Sequence, residues 1–270
     1  MKKRRLAWII GTGPSLKNID VSDLKNQTTI TFNRAYVAFE DWGFDPTYYL
    51  SIDANDLRAM YKDINNLILN SDVKAFFLPK IDDNLTHSKE SFQDGEKVEN
   101  LFLDHKKVFT IVQDKFDAET VNVASLYPKD TTIFPAKRQI HSYHDSNGGV
   151  MALKILKALG YTDVAFVGCD ARYRDDAESN RHITCLGNEY VSHEDYDVNH
   201  FRDDYFGKGM RFGKPNEQWI IGLWRWASIQ LKKDDNLYFK VYSCTENSNL
   251  NEYFPYIPFE DFLNGVREIA

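Results

Sequence analysis

Short apolar runs alternate with helix-patterned stretches along most of this 270-residue chain. The runs predict strands over 6–10, 28–32, 47–52, 73–79, 108–113, 131–134, 163–168 and 238–243. The 3.6-residue pattern predicts helices over 54–69, 147–159 and 215–233. In 147–159, Val150, Leu153, Leu156 and Leu159 share a face, Gly160 supplies the stop, and an apolar strand around Val164–Val167 follows. In 215–233, Trp219, Ile220, Leu223, Trp226 and Ile229 have the spacing of a core-facing stripe. Strand–helix–strand alternation predicts an α/β, Rossmann-like domain with a mainly parallel sheet and helices on both faces. With no repeat and no low-complexity linker, residues 1–270 read as one domain. Residues 171–214 break the pattern. They are rich in Asp, Arg, His, Asn and Gly with scattered Tyr and Phe, and read as a polar lid that orders over a ligand.

Open α/β sheets bind ligands beyond the carboxyl ends of their strands, so the strand ends are where chemistry is sought. The first run stops on Gly11-Thr12-Gly13-Pro14-Ser15-Leu16. Gly11 and Gly13 let the backbone approach a bound group, Thr12 and Ser15 offer hydroxyls, and Pro14 suits the first turn of a helix. Asp145-Ser146-Asn147-Gly148-Gly149 precedes the 147–159 helix, where capping side chains and free amides make a natural anion site. Two such turns suit the phosphate and sugar of a nucleotide. Three more strands end on polar residues, at Asn33, Asp53 and Asp170. Asn33 can read a base or hold a sugar through its amide; Asp53 and Asp170 can bind hydroxyls or cap the next helix.

Within the lid, His200 stands among acidic and aromatic neighbours from Asn199 to Gly209, a setting for a general base. His182, Cys185, His193 and His200 match no common zinc spacing, so no metal ligand is assigned. Asp195-Tyr196-Asp197 is an acidic pair of the kind that holds cations on diphosphates, though in a loop. Neither a P-loop nor a Gly-x-Gly-x-x-Gly fingerprint occurs, which argues against typical kinases and dinucleotide enzymes. A net charge of −7 argues against nucleic acid as a partner. Three cysteines without a pairing motif suggest reduced thiols and a cytoplasmic setting. The basic start, Lys2-Lys3-Arg4-Arg5, precedes an apolar stretch too short for a signal peptide or membrane span; it reads as a solvated tail able to touch an anionic membrane face.

These residues resemble the bacterial lipooligosaccharide sialyltransferases and a wider group of surface-polysaccharide and flagellin-glycosylation proteins. The resemblance is carried by Gly11 to Lys17 and Asp20, Phe32-Asn33 to Tyr36, Ser146 to Gly149, and Ala158-Leu159-Gly160-Tyr161 through Gly168-Cys169-Asp170. Around His200 and in the helix beyond, it is looser. It implies inverting, metal-independent transfer of a sugar (sialic acid, another nonulosonate or Kdo) from a CMP-activated donor to a glycan hydroxyl. Thr12 and Asn33 would contact the cytidine nucleotide, while Ser146, Asn147 and Gly148 would hold its ribose or phosphate. The chain departs from the family at Thr12 and Asp53, where the family has Asn, and at Arg172, where it has a tyrosine. Arg172, Tyr173 or Tyr205 would offset charge on the leaving phosphate. One alignment of the lid puts His200 at the base position and another puts Lys208 there; histidine is favoured because an imidazole accepts a proton near neutral pH. No cofactor beyond the donor is implied, and the oligomeric state stays open.

Two other classes remain. A hydroxymethylpterin pyrophosphokinase would use ATP and magnesium, with Asp53, Asp170 or Asp195 as ligands. A non-catalytic glycan-binding module would use Trp219, Trp224 and Trp226 as its contact surface.

Overall fold

The computed structural model describes residues 4–52, 54–79, 102–114, 132–143, 147–174, 182–186, 189–233 and 239–267. The strands, in chain order, are β1 (Leu6–Ile10), β2 (Thr29–Phe32), β3 (Tyr48–Leu50), β4 (Ala75–Pro79), β5 (Val108–Asp114), β6 (Thr132–Phe134), β7 (Gln139–Tyr143), β8 (Asp163–Val167), β9 (Ile183–Leu186), β10 (Glu189–Ser192), β11 (Arg211–Gly213) and β12 (Lys240–Ser243). The helices are α1 (Phe39–Trp42), α2 (Ala54–Asn70), α3 (Gly148–Ala158), α4 (Glu217–Lys233) and α5 (Phe259–Arg267). Among the described residues, nine strands form one sheet in the order β12-β8-β1-β2-β3-β4-β5-β7-β6. Neighbours run parallel, apart from the antiparallel edge pair β6–β7. The fold is an α/β, Rossmann-like sheet, as the alternation predicts.

The apolar runs are continuous because both faces of the sheet are covered. In β1, Trp8 and Ile10 point to one face and Ala7 and Ile9 to the other, and all four are fully buried. The Trp8 face packs on α2 through Leu57, Met60, Ile64 and Ile68, and on α5 through Phe259, Phe262 and Leu263. The Ile9 face packs on α3, whose residues from Val150 to Leu156 are buried, and on Trp224 and Ala227 of α4. Trp224 lies where the hydrogen of Gly149 points: a Cβ there would fall 2.2 Å from its ring.

Every predicted strand and helix forms, with ends moved by one or two residues. Four strands, the short helix α1 and the terminal helix α5 lie outside the predicted elements, although Phe259, Phe262 and Leu263 of α5 have the spacing of one helix face. In β7, Ile140 is the lone aliphatic residue, and the strand exists through its pairing between β5 and β6. The lid builds its own antiparallel sheet, β11-β10-β9, where the sequence suggests only an irregular segment. Pro14 opens a 3-10 turn, Pro14–Asn18, and not an α-helix. In α4 the buried residues are Trp224, Ala227, Ser228 and Gln230; Ile220, Leu223 and Trp226 of the expected stripe pack partly against the core, while Trp219 is 43% and Ile229 39% exposed, so the buried face is shifted from the expected stripe. The basic start is not a solvated tail at Arg4 and Arg5. Arg4 pairs with Asp163, and Arg5 donates to the Leu159 carbonyl and lies 4.4 Å over the Tyr161 ring. Among the described residues no helix is long and apolar enough to cross a membrane.

The strand order defines the ligand position. From β1 the chain progresses through β2, β3, β4 and β5 to one edge, then returns to place β8 on the other side of β1. The chain therefore leaves β1 and β8 toward opposite edges of the sheet, and the crevice beyond their carboxyl ends is where such sheets bind ligands.

Candidate active site

A cavity of about 1060 Å³ lies over this crevice, with the lid as its opposite wall. It is slightly larger than the roughly 300–1,000 Å³ typical of small-molecule sites. Thr12 and Gly13 line it from the β1 turn, Asn33 from β2, Ile52 from β3, Gly168 to Arg174 from β8, and Asn147 to Gly149 from the start of α3.

The two central turns are fastened to each other. Gly11 N–H donates to the Val167 carbonyl and Gly13 N–H to the Gly168 carbonyl, each at 2.8 Å. A Cβ on Gly11 would lie 2.3 Å from Gly168 O, and one on Gly13 2.0 Å from Asp170 Oδ2. These glycines admit the neighbouring turn, and Gly11 is not among the lining residues. Ser15 is not either: its hydroxyl donates to Asp170 Oδ2 at 2.8 Å. Burial pushes the Asp170 carboxyl up from the usual aspartate range, against the Ser15 hydrogen bonds and the Arg172 charge that pull it down. Cys169 beside it is buried, and burial pushes its thiol up as well. Asn33 holds φ = 53°, a left-handed conformation that asparagine tolerates better than most residues. Tyr49 Oη donates to its carbonyl at 2.6 Å, and Ser51 Oγ reaches its Oδ1 at 3.4 Å. Asn147 caps α3 by accepting the Val150 N–H on Oδ1 at 2.8 Å and also lines the cavity. Gly148 lines it with its hydrogen toward the Phe32 ring. Asp53 and Ser146 lie outside the described residues.

The lid brings His200 to the cavity with a partner that the sequence does not single out. His200 Nδ1 lies 2.8 Å from Asp197 Oδ2, and the two side chains are 14% and 9% exposed. The imidazole stacks on Tyr205, with centroids 4.1 Å apart and planes 7° apart, and meets Phe206 edge-on at 5.0 Å. The residues on either side of His200 are tied to the sheet. Asn199 exchanges hydrogen bonds with the backbone of Arg174, beyond β8, at 2.6 and 3.1 Å. Phe201 N–H donates to the Thr12 carbonyl, beyond β1, at 3.1 Å. The imidazole is thus anchored to both turns of the crevice.

Other predicted positions divide. Arg172 and Tyr173 line the cavity; the Arg172 guanidinium is held by Asn249 Oδ1 at 3.3 Å and the Tyr173 N–H by Glu217 at 3.0 Å. Tyr205 lines it too, but its hydroxyl accepts the Arg34 N–H at 3.1 Å and its ring supports His200. Lys208 is not among the lining residues; it is exposed, and its N–H donates to Asp195 Oδ1 at 2.8 Å. Asp195 and Asp197 are consequently turned to different partners and do not act as a pair. The lid histidines are likewise dispersed, His182 to Glu194 and His193 to Thr184. Among the described residues, no three His, Cys, Asp or Glu side chains form a metal-binding group. Trp219 stands at the cavity rim, half-exposed.

No family model and no curated protein matches the sequence. Among solved structures the chain is similar to a MAf glycosyltransferase from Magnetospirillum magneticum AMB-1, at 14% identity and a TM-score of 0.49, over 97% of this chain and 35% of that one. The chain thus spans about a third of that protein's length. It is also similar to the sialyltransferase CstII from Campylobacter jejuni, in complex with the substrate analogue CMP-3FNeuAc, at 17% identity and a TM-score of 0.46, over 95% of this chain and 87% of that one. A second CstII structure, with cytidine-5'-monophosphate, matches at 16% identity and the same TM-score, over 96% and 87%.

Proposed function

We propose that this protein is a glycosyltransferase that moves an acidic sugar from a CMP-activated donor to a glycan hydroxyl, with inversion and without an essential metal. One observation carries the reading: an aspartate-paired histidine and the amide-bearing start of α3 face one cavity at the point where the strand order reverses. The nucleotide lies on the strand ends. Thr12 and Asn33 meet the cytidine portion, and Asn147, Gly148 and Gly149 receive ribose or phosphate, where helix amides and the dipole favour an anion. The acceptor enters at the rim near Trp219, which offers an apolar face to a sugar ring.

In the reaction the acceptor oxygen bonds to the anomeric carbon from the face opposite the phosphate. The acceptor proton passes to His200. The bond from the anomeric carbon to the phosphate oxygen breaks, and CMP departs with its electron pair. Arg172 offsets the charge that builds on that oxygen. The pyrophosphokinase reading has less support, because Asp170 is engaged by Ser15 and Asp195 by the Lys208 amide.

Thermal unfolding against a nucleotide panel, with and without magnesium, tests the reading. A ligand at about 100 times its Kd adds about 2.7 kcal/mol to the native state. Stabilisation by CMP or CDP without metal is expected. Stabilisation by ATP with magnesium alone would replace this reading with the pyrophosphokinase. A response to UDP or GDP instead would keep sugar transfer and discard the CMP donor. No response to any nucleotide would favour a binding module.

A further inference from the structure

We infer that Asp197 is a positioning residue for His200, fixing the imidazole in the tautomer with its proton on Nδ1 and its lone pair on Nε2, directed to the acceptor. The inference rests on the proposed reading only for the identity of the reaction; the tautomer is a property of the unliganded protein.

The geometry supports each part. His200 Nδ1 is 2.8 Å from Asp197 Oδ2, a hydrogen-bond distance for a ring N–H and a carboxylate. The other carboxylate oxygen, Oδ1, accepts the Asn199 N–H at 2.9 Å, so the carboxylate cannot swing away without losing a second bond. Asn199 is itself held by both of its bonds to the Arg174 backbone. The ring lies flat on Tyr205, with Phe206 against its edge, and its Nε2 has no hydrogen-bond partner among the described residues. A carboxylate held on Nδ1 makes the Nδ1–H form the favoured neutral tautomer. It also stabilises the imidazolium produced when Nε2 takes the acceptor proton, while remaining ionised itself.

Asp197→Asn tests this with little change of shape. Asn199 N–H keeps the amide oxygen in place of Oδ1, which turns the amide NH₂ toward His200. That group can only donate, so Nδ1 must accept and the proton moves to Nε2, where it blocks proton abstraction. The ¹⁵N shifts of His200, assigned by comparison with His200→Gln, read the tautomer directly. Nδ1–H is expected in the wild type and Nε2–H in Asp197→Asn.

CMP release from CMP-N-acetylneuraminate should fall in Asp197→Asn by roughly 10²- to 10⁴-fold, the usual contribution of general base catalysis, with about 10⁴ the loss known for a triad aspartate replaced by asparagine. CMP affinity should stay within about threefold. Nε2–H in the wild type would overturn the inference, and that experiment needs no variant to fold. Unchanged CMP release despite the altered tautomer would overturn the positioning role. A wild type that binds no CMP and releases none from the donor would instead sink the proposed reaction, and the ¹⁵N result would still decide the tautomer.

Discussion

Asp170 and Asp197 face the same cavity from opposite walls, and their surroundings fit them to different work. Asp170 belongs to the strand-end wall. It accepts from Ser15, presses against Gly13 and closes the β8 turn onto the β1 turn. Asp197 belongs to the lid and is joined to an imidazole whose second nitrogen has no partner among the described residues. The strand-end wall is thus held internally, and on the proposed reading it is the fixed surface that receives the nucleotide. The lid leaves one proton-accepting atom open. In the proposed reaction binding and chemistry are divided between these walls, which are joined by Asn199 with Arg174, Phe201 with Thr12 and Tyr205 with the Arg34 backbone, among other contacts.

Loss of the lid's open atom should produce the largest effect. His200→Ala is expected to cut CMP release from CMP-N-acetylneuraminate by about 10²- to 10⁴-fold, the usual contribution of general base catalysis. Equal rates in variant and wild type would show that another group takes the proton.

Gly11→Ala should damage the other wall. Its Cβ would meet the Gly168 carbonyl, a backbone atom that cannot rotate away. Overpacking of this kind costs about 1–3 kcal/mol, which corresponds to a fall of roughly 2–10 °C in Tm. An unchanged Tm would mean that the two turns are not fastened as described.

The smallest effects compare two carboxylates by pH. The Asp170 pKa is raised in the folded protein, chiefly by burial, so its contribution to stability is present below the unfolded aspartate value, near 3.9, and is lost as pH rises through the folded value. Asp204 is lowered, chiefly by its hydrogen bonds to Arg202, so its contribution is present above the unfolded value and lost as pH falls through the folded one. Urea unfolding of Asp170→Asn and Asp204→Asn between pH 3 and 7 should show differences from wild type with opposite slopes. The Asp204 effect should stay below about 1 kcal/mol and shrink with salt, since the pair is largely solvated. Parallel slopes would contradict the contrast.

The strand-end wall was the more legible of the two in the sequence. Its apolar runs and glycine turns are local signals, and they located the crevice, Thr12, Asn33, Asn147 and Asp170. The purpose of the glycines was not legible. Gly11 and Gly13 read as room for a ligand, yet they make room for the β8 turn, more than 150 residues away in sequence. Ser15 was misread for the same reason, because its partner Asp170 is equally distant. In the lid, composition announced a functional segment but not its fold. The strands β9–β11 are short and pair through backbone hydrogen bonds, which leave little trace in polarity. The Asp197-Val198-Asn199-His200 spacing was visible, but Asp197 was grouped with Asp195 by proximity. Only the loop geometry, which turns Asp195 to the Lys208 amide and Asp197 to His200, separates them.

Calorimetric titration of CMP into the wild type, Asn33→Gly and His200→Ala tests the division of labour most directly. Glycine accepts the left-handed backbone at position 33, so Asn33→Gly removes the amide without adding strain. Asn33→Gly should weaken CMP binding by about tenfold, as expected for one lost hydrogen bond of roughly 1.4 kcal/mol, while His200→Ala should bind within about threefold of the wild type. CMP affinity that collapses in His200→Ala and survives in Asn33→Gly would place the nucleotide on the lid and contradict the account.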